Sequence, residues 1–256
     1  MMLDVERLDE TCIKKLATEE VLALRVKRFL APSLAKQIGD RVLEPGFEGY
    51  LNAPSIGRIG MAFYEAENQP VLVEDYFARA TRNIAELRER CAPYASPVDT
   101  LRCMLDESWP AGAHLENLYG RKMSVGLARV VKPGIRFLAH HDILARDAPD
   151  SYQAHSLDAQ FACNLYLSMP AEGGALQMWN HDISPDRFDA LRGDSYGIDP
   201  ALLGAPALQV RPEPGDFIMF NSRCMHAVTP GVADPRLSLS FFVGYRGNAS
   251  PLTFWS

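Results

Sequence analysis

The sequence predicts a mainly β protein with added α structure, a sandwich or barrel of about eight short strands covered by a helical N-terminal layer. Three observations carry this. From about Lys122 onward, short β-type runs follow in quick succession: KMSVGLARVV, IRFLAHHDIL, LDAQFACNLYLSM, GALQMW, ALQVRP, GDFIMF, HAVTP and RLSLSFFVGY. Turns rich in Pro and Gly, such as KPG, PAEGG and PEPGD, separate them. Before that point the apolar residues recur at helical spacing instead.

The helical part is legible in two places. Pro32 and Ser33 open a stretch in which Leu34, Ile38 and Val42 are spaced as on one helix face. Within DYFARATRNIAELRERC, Phe77, Ala80, Ile84 and Leu87 repeat at intervals of 3, 4 and 3, with charges filling the other face. That pattern is an amphipathic helix covering something. Between the two lies GYLNAPSIGRIGMAFYEAENQP, irregular or short-stranded, whose Arg58, Tyr64 and Glu65 are candidates to line a site. The expected organisation is a single domain, 1–256. Residues 1–120 form a largely helical support layer, 121–246 the β core, and the polar insertion 180–205 a lid.

Composition bounds the function. The chain has 256 residues, 47% hydrophobic and 23% charged, which is the range of ordinary globular proteins. A net charge of −6 disfavours a nucleic-acid polymer as partner, although it leaves room for one basic pocket. Five cysteines without CxxC spacing suggest neither a disulfide framework nor a zinc ribbon. MMLDVERLDET is acidic where a signal peptide is basic and then apolar, and no apolar run approaches the roughly 18–20 residues of a membrane helix. The expectation is a cytoplasmic protein acting on a small molecule, with no membrane partner and with a homodimer left open.

The chemistry sits in His140-His141-Asp142. Taken as H-x-D on a strand end, His140 and Asp142 project to one side and can share a metal. The best-placed third ligand is His226, in FNSRCMHAVTP at the start of another expected strand. Two imidazoles and one carboxylate on one face of a cation leave adjacent positions open, as a non-haem Fe(II) centre requires. Ten residues on, Arg236 and Ser238 share a strand face in RLSLSFF and can clamp a carboxylate. A 2-oxo dicarboxylic acid answers both features, chelating the metal at one end and pairing with Arg236 at the other.

This set (H-x-D, a distant His, and R-x-S ten residues beyond it) resembles the 2-oxoglutarate/Fe(II)-dependent oxygenases over roughly residues 120–246. NLYLS, the EGGAL turn at Glu172–Leu176 and PGDFIMFNS belong to the same likeness. Within that family the layout resembles bacterial amino-acid hydroxylases and their halogenase relatives. The resemblance implies a double-stranded β-helix (jelly-roll, cupin-like) core with a helical N-terminal layer. It implies Fe(II) on His140, Asp142 and His226, 2-oxoglutarate on Arg236 and Ser238, and O2 as oxidant, with succinate and CO2 released. Halogenases of the subgroup have Gly or Ala where this chain has Asp142, so the retained carboxylate implies hydroxylation of an unactivated C–H bond of a small polar metabolite, an amino acid or derivative. Desaturation or cyclisation, or a nucleotide-like or natural-product substrate, is the enzymatic alternative; a non-catalytic metal-binding jelly-roll sensor is the alternative of another class.

Other residues are open to two readings. Asn164, in a core strand, needs an amide partner, and either 2-oxoglutarate or the backbone supplies one. His155, near the metal-bearing segment, could meet substrate or sit in a surface loop. Trp179 and Tyr166 fit as substrate contacts or as core fillers. Arg58, Tyr64 and Glu65, with Arg129 alongside, are candidate substrate contacts. His141 points away from its neighbours on a strand and reads as a support for them.

Overall fold

The computed structural model describes residues 1–51, 53–180 and 183–256. Strand β1 (Met2–Asp4) precedes helix α1 (Glu10–Ala17), and β2 (Ala23–Val26) precedes α2 (Pro32–Leu43). The short strands β3 (Glu48–Gly49) and β4 (Ile56–Ile59) lead through a 3-10 turn at Phe63–Ala66 into α3 (Pro70–Cys91) and α4 (Pro97–Ser108). Then come β5 (Ala113–Leu115), β6 (Asn117–Leu118), β7 (Arg121–Lys122), β8 (Leu127–Val131) and β9 (Phe137–His140). Single-turn helices α5 (Leu144–Asp147) and α6 (Tyr152–His155) precede β10 (Ala159–Ser168) and β11 (Leu176–Met178). Helix α7 (Pro185–Arg192) lies in the connection to β12 (Leu208–Val210). The last strands are β13 (Phe217–Asn221), β14 (His226–Val228), β15 (Arg236–Tyr245) and β16 (Leu252–Trp255).

The helices follow local rules. Asp9 caps α1 by accepting from the Cys12 amide at 2.8 Å, and α2, α3 and α4 each begin with proline, whose missing N–H costs nothing there. On α3, Phe77, Ala80 and Leu87 are buried and Ile84 packs at the margin of the same apolar face. Gly39 lets α2 lie close on the sheet, because a Cβ there would already be 3.4 Å from Leu167 and Leu237.

Two sheets make the jelly-roll. The large one runs β1-β2-β13-β10-β15-β8-β4-β3, with β16 paired to β15 and β5 to β16. The small one runs β12-β11-β14-β9. Each long strand alternates. In β10 and β15, Phe161, Cys163, Leu165, Leu237, Leu239 and Phe241 point to the core under α1–α4, while Ala162, Asn164, Tyr166, Ser238 and Ser240 point between the sheets. Gly173, in the turn between β10 and β11, has φ +74°, and a Cβ there would sit 1.8 Å from the Pro230 carbonyl oxygen.

The first 120 residues supply strands as well as helices. β2 pairs with β13, and β4 pairs with β8, so the N-terminal segment widens the large sheet at both edges. Four-residue stretches such as ALRV and IGRI carry too few alternations to announce themselves as strands. The 180–205 segment is pinned to the small sheet by a reciprocal pair of 2.8 Å backbone bonds between Ala139 and Ile198; its residues 181 and 182 lie outside the described residues. No described helix is long and apolar enough to cross a membrane.

Candidate active site

His140 ends β9 and His226 begins β14, and the ladder between these strands sets the two directly opposite each other. The strand stops at His140, so the pleat does not place Asp142. Its amide donates to the Ser222 carbonyl at 2.8 Å, and the Ser222 hydroxyl donates back to the Asp142 carbonyl at 3.3 Å. One carboxylate oxygen then lies 3.4 Å from His226 Nε2 and the other 4.0 Å from His140 Nε2. One ligand atom from each of the three residues falls within 4.8 Å of the others.

The rings are oriented for a metal. His140 Nδ1 lies 2.8 Å from the Leu138 carbonyl and His226 Nδ1 lies 3.0 Å from the Cys224 carbonyl. A carbonyl accepts only, so each Nδ1 carries the proton and each Nε2 keeps its lone pair facing Asp142. Burial, reinforced by the neighbouring His226, holds His140 down to about 3, so it stays neutral. Burial works against ionising Asp142, but the neighbouring His226 and His140 rings and the Arg129 guanidinium outweigh it and bring the carboxyl to about 2. Two imidazoles and a carboxylate are the donor set a divalent iron takes. His141 faces elsewhere: it stacks on Phe188 with ring centroids 4.4 Å apart, and its Nε2 accepts from Arg146 at 2.8 Å.

Beside this trio, between the sheets, four buried polar atoms have no hydrogen-bond partner: Asn164 Oδ1, Tyr166 OH, Arg236 Nε and Ser238 Oγ. All four belong to neighbouring strands, with Tyr166 opposite Ser238 and Asn164 opposite Ser240. The Arg236 guanidinium lies 4.9 Å from the Tyr166 ring centre and is 4% exposed. Burial lowers its proton affinity, with the Tyr166 hydroxyl opposing. Unpartnered polar atoms and an unpaired guanidinium are costly to bury. The Tyr166, Arg236 and Ser238 donors together fit a dianionic acid that supplies their missing acceptors.

A cavity of about 370 Å³ opens on His140 and Asp142, and its walls include Tyr50, Tyr64, Arg129, Phe137, Asp147 and Tyr196. Of the expected substrate contacts, Tyr64 and Arg129 lie on this wall. The structure places the other four elsewhere, for clear physical reasons. Arg58 Nε donates to Glu65 at 2.7 Å, and Arg58 lines a separate cavity against α3. Glu65 accepts from Arg58 and from the Leu51 and Ala62 amides, so its carboxylate is committed to shaping the 3-10 turn. His155 is exposed, bound to the Pro149 carbonyl at 2.8 Å. Trp179 is a core filler packed with Ile183, Phe188, Ile198 and Met225, its indole N–H donating to Gly204 at 3.0 Å.

Sequence similarity decides what such a site belongs to. Residues 125–244 match the 2OG-Fe(II) oxygenase superfamily. This chain carries a 2OG-Fe(II) oxygenase domain. The superfamily's name gives its two non-protein requirements, 2-oxoglutarate and Fe(II), and both the trio and the polar cluster lie within the domain. The chain is 30% identical over 162 residues to the L-gamma-glutamyl-L-propargylglycine hydroxylase of Streptantibioticus cattleyicolor, covering 62% of this chain. The match spans 59% of that relative's length. In fold it is similar to an N-substituted L-amino acid dioxygenase from Burkholderia ambifaria, with a TM-score of 0.64, 18% identity, and 96% and 91% of the two chains covered. The complex of that dioxygenase with alpha-KG aligns at a TM-score of 0.65, with 17% identity over 96% and 90% of the chains.

Two cavity residues of the oxygenase domain, Asp147 and Tyr196, escape sequence reasoning, and a third, Arg129, is named by it without a motif. Arg129 alternates with apolar neighbours in β8, the same signal that singles out Arg236, but no motif surrounds it. Asp147 and Tyr196 sit in irregular segments without periodicity, and only the tertiary structure brings them to the cavity.

Proposed function

We propose that this protein is an Fe(II)- and 2-oxoglutarate-dependent oxygenase that hydroxylates a C–H bond of a small polar metabolite, an amino acid or a derivative of one. The observation that carries the reading is the conjunction of the His140–Asp142–His226 trio with the four unpartnered atoms of Asn164, Tyr166, Arg236 and Ser238. His140, Asp142 and His226 would hold the metal. Arg236 and Ser238 would hold the far carboxylate of 2-oxoglutarate, with Tyr166 and Asn164 offering further polar contacts. Bound Fe(II), with 2-oxoglutarate and O2, supplies the oxidising power for C–H cleavage.

The protein's part is position and exclusion of water. Asp142, paired with no Lys or Arg among the described residues, keeps its charge for the metal and would serve as its carboxylate ligand. Residues 180–205 serve as the lid over a single domain. Asp189 on α7 holds Arg146 at 3.0 Å and Arg192 at 2.7 Å, tying the lid to the wall of the cavity. A cavity of about 370 Å³ suits a metabolite, not a folded protein. The names of the sequence relative and of the structural relative, both acting on amino-acid compounds, support the substrate class.

Anaerobic addition of Fe(II) and 2-oxoglutarate should give a visible charge-transfer band, and O2 should then release succinate and CO2. Tight metal binding without succinate formation on any metabolite panel would replace this reading with a metal-binding sensor.

A further inference from the structure

Two ionisable groups on the cavity wall have no role in holding metal or 2-oxoglutarate under the reading above, and neither forms an ion pair with a described residue. Arg129 projects from β8. Its Nε donates to the Tyr50 hydroxyl at 3.0 Å and one Nη to the Tyr64 hydroxyl at 3.4 Å, while Phe137 lies 5.6 Å beneath the guanidinium. The other Nη makes no hydrogen bond, and no carboxylate among the described residues pairs with Arg129. Two phenols and a ring therefore fix the fork in one orientation with a free edge on the cavity. A guanidinium held this way is pre-organised for a carboxylate brought by a ligand.

The other group is Asp147, on α5, five residues beyond Asp142. It lines the same cavity, yet its carboxyl makes no hydrogen bond or ion pair with any described residue. The neighbouring Arg146 does not neutralise it, because that guanidinium is spent on His141 and Asp189. Glu67 lines the cavity too, adding a second carboxyl group, and its backbone is left-handed at φ +43°. Burial first, and then repulsion from Asp142, pushes the Asp147 carboxyl up to about 8, against the pull of Arg146. An acid in that condition gains most from a cation placed next to it.

We propose that Arg129 and Asp147 are the two poles of the substrate site, Arg129 receiving a carboxylate and Asp147 an ammonium. The ligand class is then a zwitterion: a free amino acid or a short peptide with a free amine. Amino-acid derivatives blocked at nitrogen lie outside it. This rests on the oxygenase reading and narrows its substrate. The cavity, at about 370 Å³, has room for a molecule of that size.

The test uses the Fe(II)- and 2-oxoglutarate-loaded protein without O2, titrated calorimetrically. The probes are the common L-amino acids, each with its N-acetyl and its carboxamide form. At least one free amino acid should bind, with its N-acetyl and carboxamide forms each weaker by tenfold or more. Asp147→Asn should abolish the penalty for N-acetylation, and Arg129→Gln the penalty for amidation. Arg129→Lys keeps the charge and should retain part of the amidation penalty, which separates lost charge from lost packing. Melting curves of each variant check that it is folded. N-acetyl forms that bind as well as free amino acids, or penalties unchanged in the variants, would overturn the assignment. So would Arg129→Gln weakening 2-oxoglutarate binding while leaving amino-acid binding intact, which would give that cation to the cosubstrate. If no probe binds while 2-oxoglutarate is still decarboxylated under O2, the poles are wrong and the oxygenase reading stands. If decarboxylation is also absent, both fall together.

Discussion

His140 and His226 face each other across the β9–β14 ladder with ring centroids 4.3 Å apart, each turned by a carbonyl on its Nδ1 so that both Nε2 atoms point at Asp142. Two lone pairs and a carboxylate forced this close repel one another until a cation sits among them. Adding Mn(II) or Fe(II) should therefore raise the melting temperature. A ligand at 100 times its dissociation constant stabilises by about 2.7 kcal/mol. His140→Ala, Asp142→Ala and His226→Ala should each remove most of that increment; a full increment in any of them would contradict the ligand set.

Under the proposed reading Arg236 anchors 2-oxoglutarate. Truncating one partner of a buried charged pair costs about 2–5 kcal/mol. Arg236→Ala should weaken 2-oxoglutarate by roughly 30- to 4,000-fold while metal binding without the acid is retained. Ser238→Ala and Tyr166→Phe each remove one neutral contact, worth about 0.5–1.5 kcal/mol. Anaerobic titration of the visible band reads all three.

Glu65 is a matter of stability and not of substrate. It is 2% exposed and satisfies Arg58 together with two backbone amides. Glu65→Ala removes the buried partner of Arg58 and leaves only the exposed Glu48 carboxylate at 3.5 Å, a loss approaching the ~3–5 kcal/mol of a broken buried pair. Urea unfolding should show it, and the protein that remains folded should keep its stabilisation by metal.

Asp147 gives a pH-dependent signature. Its folded-state affinity for a proton is higher than in the unfolded chain, with the carboxyl near 8 against an ordinary value of 3.8. Between those values the folded state binds more protons, so its contribution to stability falls as pH rises from about 4 to 8. Asp147→Asn removes that dependence. The variant should be the more stable one above pH 7, by about 1–2 kcal/mol once solvent reaching the cavity has screened the effect; a tenfold change in proton affinity is worth about 1.4 kcal/mol. Below pH 4 the two proteins should unfold at the same denaturant concentration. A wild-type protein more stable than the variant at pH 8 would contradict this.

What the sequence determined by itself was whatever depends on spacing along one or two strands. Alternation in β10 and β15 marked a two-faced sheet, and H-x-D, a later His and R-x-S marked residues that the ladders of β9, β14 and β15 bring to one space. Period-2 geometry needs no long-range information, so His140, His226, Arg236 and Ser238 were legible. Asp142 was named for the right neighbourhood, but its place depends on a bond to Ser222, 80 residues away. Substrate contacts were decided only by the tertiary structure. Arg58 and Glu65, promising in a Gly-rich segment, pair with each other, while Arg129 and Asp147, on a strand and a single-turn helix 18 residues apart in sequence, share a cavity wall. Whether a charge finds its partner inside the fold or waits for a ligand is set by what packs around it, and no local pattern of residues carries that.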